Sequence, residues 1–220
     1  MLKQLNERTM TFKDRIDAGL QLAFKLKKYV IDPCVVLAVP RGGVPVAYTV
    51  ASELNFPMQL VLTKKIGHPI NKEYAIGAAS LTDYFVIPHD DVTEEYIQQE
   101  VKRVQAKLKD MQQKFMGDRS TLPLKGKTVI IVDDGIATGN TMLATVKVIR
   151  KEEPEKIIIA VPVTAAAAYR KLAKEVDEFI CLLIAEEFYG VGAFYEDFQQ
   201  VTDEDVKNYI DHLQQKEKLN

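Results

Sequence analysis

Apolar residues along the chain fall into two alternating kinds of segment. Short runs dense in apolar residues, at 35–39, 58–63, 75–80, 84–87, 129–132, 157–163 and 179–184, read as strands. Between them apolar residues recur at helical spacing. Asp14 can cap a first helix reaching about residue 28, with Ile16, Leu20, Ala23 and Phe24 on one face. Pro45 opens a helix after the first strand, since proline is tolerated in a first turn. Asp91, with Glu94 three residues on, resembles a capping box that opens a long helix to about Phe115, ended by Gly117. Further helices are expected from about 141 to 150, 164 to 175 and 203 to 213, while 64–74 and 118–127 read as loops. Strands alternating with helices predict an α/β fold, a mostly parallel central sheet flanked by helices.

The long helix carries Ile97, Val101, Val104, Leu108, Met111 and Phe115, a heptad seam. Two readings stay open: a helix packed along its own domain, or an arm at a dimer interface. No internal repeat and no low-complexity linker divides the chain. One domain over residues 1–220 is expected, with a core at about 10–184 and a helical insert at about 91–117.

Residues 129–141 carry the densest chemistry. The buried strand ends on two adjacent carboxylates, Asp133 and Asp134, and a loop of mostly small residues, Gly135-Ile136-Ala137-Thr138-Gly139-Asn140, opens into a helix near Thr141. Ligands of α/β sheets bind at the carboxyl ends of strands. A helix N-terminus offers amides to a phosphate, whereas adjacent carboxylates repel one. The loop therefore suits a ligand with an anionic end and a hydroxyl-rich part, such as a ribose 5-phosphate. Its hydroxyls would meet Asp133 and Asp134, and its phosphate the amides and hydroxyls of 137–141. The bland alternative is a strand–turn–helix with a solvated cap, for which one carboxylate would do.

Composition narrows the classes. The chain has 220 residues, 47% hydrophobic and 27% charged, with formal net charge −2. That is an ordinary globular balance, without the basic excess of a general nucleic-acid binder. Cys34 and Cys181 sit in or beside apolar runs and read as buried thiols. No signal-like start and no apolar run of about 18 residues is seen, so a cytoplasmic location with no membrane partner is expected.

Three further stretches could complete a site. Pro40-Arg41-Gly42-Gly43 follows the first strand; the glycines allow close ligand approach and Arg41 offers planar donors, a candidate pyrophosphate cradle. The stretch 63–74 holds Lys64, Lys65, His68 and Glu73, with Gly67 and Pro69 breaking regular structure. The stretch 185–198 clusters Phe188, Tyr189, Val191, Phe194 and Tyr195 after the last strand, where rings could stack on a planar base or form a small satellite core.

In these motifs the chain resembles the type I phosphoribosyltransferases, most closely a poorly characterised group of that family. The strand, acid pair and Thr-Gly loop of 129–141, the Pro-Arg-Gly-Gly at 40–43, the Lys-Lys-Ile-Gly-His-Pro at 64–69 and the Val-Gly-Ala-Phe-Tyr-Glu-Asp-Phe at 191–198 carry the resemblance over about residues 10–205. It implies the type I phosphoribosyltransferase fold with a small C-terminal hood at about 185–205. The implied activity is Mg²⁺-dependent transfer of the 5-phosphoribosyl group from phosphoribosyl pyrophosphate (PRPP) to a nitrogenous acceptor.

The implied PRPP loop is Asp133, Asp134, Gly135, Ile136, Ala137, Thr138, Gly139, Asn140 and Thr141, with the acid pair indirectly at the metal. Pro40, Arg41, Gly42 and Gly43 would hold pyrophosphate. Lys64, Lys65, Glu73 and Arg41 would serve catalysis from a mobile lid at 64–74, and Phe188, Tyr189, Val191 and Phe194 would hold the acceptor. Such a transfer passes through a cation-like sugar that water would capture, which is why a lid is needed. The 6-oxopurine branch carries an acid where this chain has Ala137, which directs the expectation away from those bases. A homodimer is expected. The alternative class is a PRPP- or nucleotide-sensing regulator on the same fold. A PRPP-forming kinase is disfavoured, because no GxxxxGK[ST] loop is present.

Overall fold

The structure is a computed structural model that describes residues 12–72, 74–117, 119 and 121–217. Its centre is a five-stranded sheet of β1 (Cys34–Ala38), β2 (Met58–Leu60), β6 (Thr128–Val132), β7 (Lys156–Ala165) and β8 (Glu178–Ala185), in the order β2-β1-β6-β7-β8. Every pairing in it is parallel. Every residue of β1 and β6 is buried, because helices cover both faces. This is why these strands read as continuous apolar runs rather than as alternation.

The chain turns from β1 to β2 on one side and later builds β6, β7 and β8 on the other. The direction in which strands are added reverses between the neighbouring strands β1 and β6, so their carboxyl ends are the topological switch point where α/β sheets hold ligands. A second, antiparallel sheet is formed by β3 (Lys64–Gly67), β4 (Ala75–Ala79) and β5 (Tyr84–Val86), with a bulge at Ile66/Gly67. Residues 64–67, expected as loop, are thus strand. Their side chains lack the alternation that signals one, and pairing with β4 makes it.

The helices are α1 (Arg15–Leu26), α2 (Gly43–Leu54), α3 (Glu94–Met116), α4 (Asn140–Arg150), α5 (Ala166–Leu172) and α6 (Asp203–Glu217). Asp14 caps α1, accepting from the Asp17 amide at 2.8 Å. The buried stripe of α1 is not the expected one. Ile16, Leu20 and Phe24 are 38%, 47% and 68% exposed, while Arg15, Ala18, Gly19, Leu22, Ala23 and Leu26 face inward. Close packing decides this: a Cβ on Gly19 would lie 2.7 Å from Thr49 Cβ on α2, so the small residues Ala18 and Gly19 set the contact face.

Thr93, not Asp91, caps α3, accepting from the Tyr96 amide. The seam of α3 packs internally, with Val101, Val104, Leu108 and Phe115 buried in the main core. Helix α5 starts later than expected, because Thr164 and Ala165 remain in β7, where Ile136 pairs with Thr164. Both cysteines are free thiols, and burial pushes each up to about 11. No helix among the described residues is long and apolar enough to cross a membrane.

Candidate functional site

The loops at the switch point touch. The Val39 amide donates to Val132 O at 2.9 Å, drawing the β1–α2 loop against the end of β6. A Cβ on Gly42 would lie 2.1 Å from Asp134 Oδ2, and one on Gly43 would lie 2.7 Å from Asp133 Cα. No other residue type fits at either position without moving the acid pair. The Pro40–Arg41 peptide between them and β1 is cis. Arg41 projects to the surface, its Nη1 3.2 Å from Asp203 Oδ1 at the start of α6. The same carboxylate takes Lys114 Nζ, from the last turn of α3, at 2.5 Å.

The two carboxylates have unlike surroundings. Asp134 is buried, and its Oδ2 accepts from Arg15 Nε at 2.9 Å and Nη2 at 2.8 Å. Its backbone carbonyl accepts from Tyr195 Oη at 2.6 Å. Asp133 is partly accessible, and its Oδ1 accepts the Asp134 amide at 2.9 Å. Burial holds the Asp133 carboxyl well above the usual carboxylate range, and the neighbouring Asp134 charge adds to it. Burial also raises Asp134, but there the Arg15 guanidinium opposes it.

Sequence reasoning did not find Arg15. The signal was present: Arg15 lies on the stripe of Ala18, Gly19, Leu22 and Leu26, at helical spacing, so a charge was being placed on the buried face.

The loop after the acid pair is anchored at its centre and open at its end. Ile136 is buried, its amide donating to Val163 O at 3.0 Å and its carbonyl accepting from Ala165 at 2.9 Å. Ile136 is therefore the loop's fixing point. Ala137, Thr138, Asn140 and Thr141 are exposed. Gly139 sits at φ +71°, the left-handed conformation that suits glycine, and precedes the first turn of α4. The first-turn amides of α4 have no intrahelical acceptor. Lys171 Nζ lies 2.5 Å from Asn140 Oδ1 beside them.

The lysine-bearing strand β3 is brought to the same helix: Thr63 Oγ1 and Thr145 Oγ1 are 2.6 Å apart. Lys64 and Lys65 stand on this strand opposite Ala79 and Ala78. His68, expected on an open loop, is buried. Its Nδ1 accepts from the Ile70 amide, so Nε2 carries the proton that Asp91 accepts at 3.0 Å. Tyr96 of α3 donates to Gly67 O at 2.6 Å and accepts from Lys72 Nζ at 2.6 Å. The β3–β4 connection is thus pinned to the start of α3. Glu73, one of the residues expected to serve catalysis, lies outside the described residues.

The aromatic stretch after β8 divides. Phe194 and Tyr195 are buried in a small core with Phe12, Ala18, Val163 and Ala185, and Phe188 and Val191 pack against it. Phe188 and Phe194 rings lie 5.4 Å apart. Val191 closes on the acid loop, since a Cβ on Gly135 would sit 2.6 Å from its Cγ1. Tyr189 is 87% exposed. The satellite core and an exposed aromatic edge therefore coexist.

Comparison with known proteins adds the lineage. A Mycobacterium tuberculosis protein provisionally named a phosphoribosyl transferase, matched in two strains, is 37% identical over 205 residues. The match covers 91% of this chain and 46% of the relative, so the chain spans about half the length of these curated relatives. The crystal structure of TT1426 from Thermus thermophilus superposes with a TM-score of 0.84 at 36% identity, covering 91% of this chain and 98% of that one. A shorter stretch of 59 residues is 44% identical to a ribose-phosphate pyrophosphokinase of Pyrococcus furiosus, covering 26% of this chain and 21% of the relative. The family model for the phosphoribosyl transferase domain matches residues 12–199, and the chain belongs to that family, on the type I phosphoribosyltransferase fold.

Proposed function

We propose that the protein transfers the 5-phosphoribosyl group of PRPP to a nitrogenous acceptor, releasing pyrophosphate. The observation that carries this reading is the contact between the two loops at the switch point. The acid pair that leads into the open N-terminus of α4 stands directly against the backbone of Gly42 and Gly43, next to Arg41. PRPP has hydroxyls for the first, a 5′-phosphate for the second and a pyrophosphate for the third. The phosphate would take the first-turn amides of α4 and the hydroxyls of Thr138 and Thr141.

In the reaction the anomeric C–O bond to pyrophosphate breaks and a C–N bond to the acceptor forms. The leaving group gathers negative charge, and Arg41, the backbone at Gly42, and the lysines of β3 are the groups proposed to meet it. The β3–β4 connection would close the site against water.

Mg²⁺ fits this site only as an ion held largely by the ligand. Among the described residues no group of three or more His, Cys, Asp or Glu side chains could hold a metal, and Mg²⁺ is commonly bound through one or two carboxylates plus substrate oxygens. Asp133, the more accessible of the two acids, would be the residue to meet it, and the ion would add positive charge at the pyrophosphate. For the acceptor, Phe188 and Tyr189 offer ring faces that Phe194, being buried, does not. Without an acid at position 137, hypoxanthine and guanine are not the proposed acceptors.

The test is pyrophosphate release from PRPP and Mg²⁺ with a panel of bases, alongside calorimetric PRPP binding. Turnover with one planar base and little with 6-oxopurines supports the reading. Tight PRPP binding with no turnover on any base moves it to a sensor, and no PRPP binding removes it.

A further inference from the structure

We propose that Arg15 divides the acid pair between two jobs. It holds Asp134 as part of the scaffold, leaves Asp133 as the carboxylate that meets the sugar, and couples that carboxylate to the C-terminal hood. The proposal rests on the reading of the switch point as a ribose 5-phosphate site and assigns roles within it.

The first support is occupancy. Arg15 directs two N–H donors at one oxygen of Asp134, Oδ2, at 2.8 and 2.9 Å. The two side chains are 10% and 12% accessible, so water does not compete for the pair. Asp134 is also walled by the backbone at Gly42. A sugar hydroxyl reaching Asp134 Oδ2 would have to displace charged donors in a dry site and leave a buried guanidinium unpaired, which is strongly unfavourable. Asp133 keeps partial access, and its Oδ1 is oriented by the Asp134 amide at 2.9 Å. The Arg15 pair therefore sets the backbone from which Asp133 is presented.

The second support is where the rest of Arg15 goes. Nη1 donates to Gln199 O at 2.8 Å, and the guanidinium lies 3.8 Å from the centroid of the Phe198 ring. Phe198 packs on Tyr195 at 5.0 Å between centroids, and Tyr195 donates to Asp134 O at 2.6 Å. Tyr195 also packs on Phe12 at 5.3 Å. The stretch 194–197 is zipped to the segment just before α1: Phe12 N to Phe194 O and Glu196 N to Phe12 O at 2.8 Å, Asp197 N to Lys13 O at 2.9 Å. Asp134 thus sits inside a closed ring of contacts that runs through Arg15, Phe198 and Tyr195 and returns to its own carbonyl. Arg15 is a positioning residue: it would act on the sugar through Asp133 and on the acceptor through the hood.

The assignment makes the two aspartates unequal, although adjacent and chemically identical. Calorimetry with ribose 5-phosphate, on variants shown to be folded by circular dichroism, should find Asp133→Asn weakened by about fifty-fold, the size of lost charge-assisted hydrogen bonds. Asp134→Asn should lose about five-fold or less. Arg15→Gln should lose about ten-fold, because an orphaned buried carboxylate remains, and adding Asp134→Asn to it should recover most of that loss. Rescue by neutralising a charge is a result that lost packing alone does not give.

If Arg15→Gln fails to fold, the Asp133/Asp134 comparison decides the division of roles. Phe198→Ala, which keeps every charge, then tests the hood link through an expected loss of about three-fold. Wild-type protein that binds while both aspartate variants fall alike, or a double variant weaker than Arg15→Gln alone, overturns this proposal only. Wild-type protein that binds no ribose 5-phosphate overturns the site reading and this proposal together.

Discussion

A single carboxylate shows how the site and the fold compete. Asp133 is held in a position that burial and its neighbour make unfavourable for charge, so its carboxyl titrates well above its ordinary range. A carboxyl whose folded pKa is raised binds its proton more tightly folded than unfolded. Its contribution is most favourable below the unfolded value of about 3.9 and turns into a penalty as pH rises through the folded pKa. Asp133→Asn removes that penalty. The variant is expected to melt higher than wild type at pH 7 and to lose this advantage below about pH 4, while binding ribose 5-phosphate far more weakly. Thermal melts across pH check it, and a variant less stable at pH 7 would refute the cause assigned to the shift. The acid pair itself was legible in sequence, because a cap at the end of an apolar run needs one carboxylate and this run ends on two. Its partner was not. Arg15 lies 119 positions away and beside a cap, where a polar residue excites no notice. Only the choice of buried stripe on α1 reveals it, and that choice depends on α2.

Elements were readable where burial alone determines them and unreadable where pairing does. β1 and β6 lie between layers of helix, so their sequences are apolar throughout and their extents are plain. β3 has Lys64 and Lys65 and one apolar residue, and becomes a strand through β4. The α3 seam was visible, but whether it met its own domain or another chain depended on what lay opposite. It meets β3 and α6 and the main core. That contact gives α3 a second use as a strut, since Tyr96 on its first turns holds Gly67 O and Lys72. Tyr96→Phe keeps the ring and removes the hydroxyl. It should cost about 1 kcal/mol of global stability, a typical single hydrogen bond, and speed amide exchange over residues 66–76 more than elsewhere. Uniform exchange across the protein would mean that the connection is held by other contacts. Faster local exchange that PRPP and Mg²⁺ then suppress would support the lid reading of this hairpin.

At the scale of the whole molecule, three distant parts of the chain converge on one charge cluster. The β1–α2 loop brings Arg41, the end of α3 brings Lys114, and the start of α6 brings Asp203, which both cations contact at 3.2 and 2.5 Å. No sequence pattern announces this, because strand order and helix placement bring the three together. In the proposed function Arg41 must meet pyrophosphate, yet it is engaged with a carboxylate. The pair is open to solvent, with side chains 44% and 33% exposed, so it should yield readily to a more highly charged anion. In that reading Asp203 would act as a weak internal competitor for Arg41. Asp203→Asn removes the competition, and pyrophosphate binding is expected to tighten by about two- to five-fold at low salt, the modest scale of exposed ion pairs. The gap should close as ionic strength rises, since the screening length falls from about 10 Å at 0.1 M to about 3 Å at 1 M. Ribose 5-phosphate, which lacks the pyrophosphate group, should bind the variant as it binds wild type, and this second ligand separates a local effect from a change in the fold. Weaker pyrophosphate binding in the variant would show that Asp203 orients Arg41 rather than competes for it. Unchanged binding would place the pyrophosphate away from Arg41 and remove one of the three anchors on which the transferase reading stands.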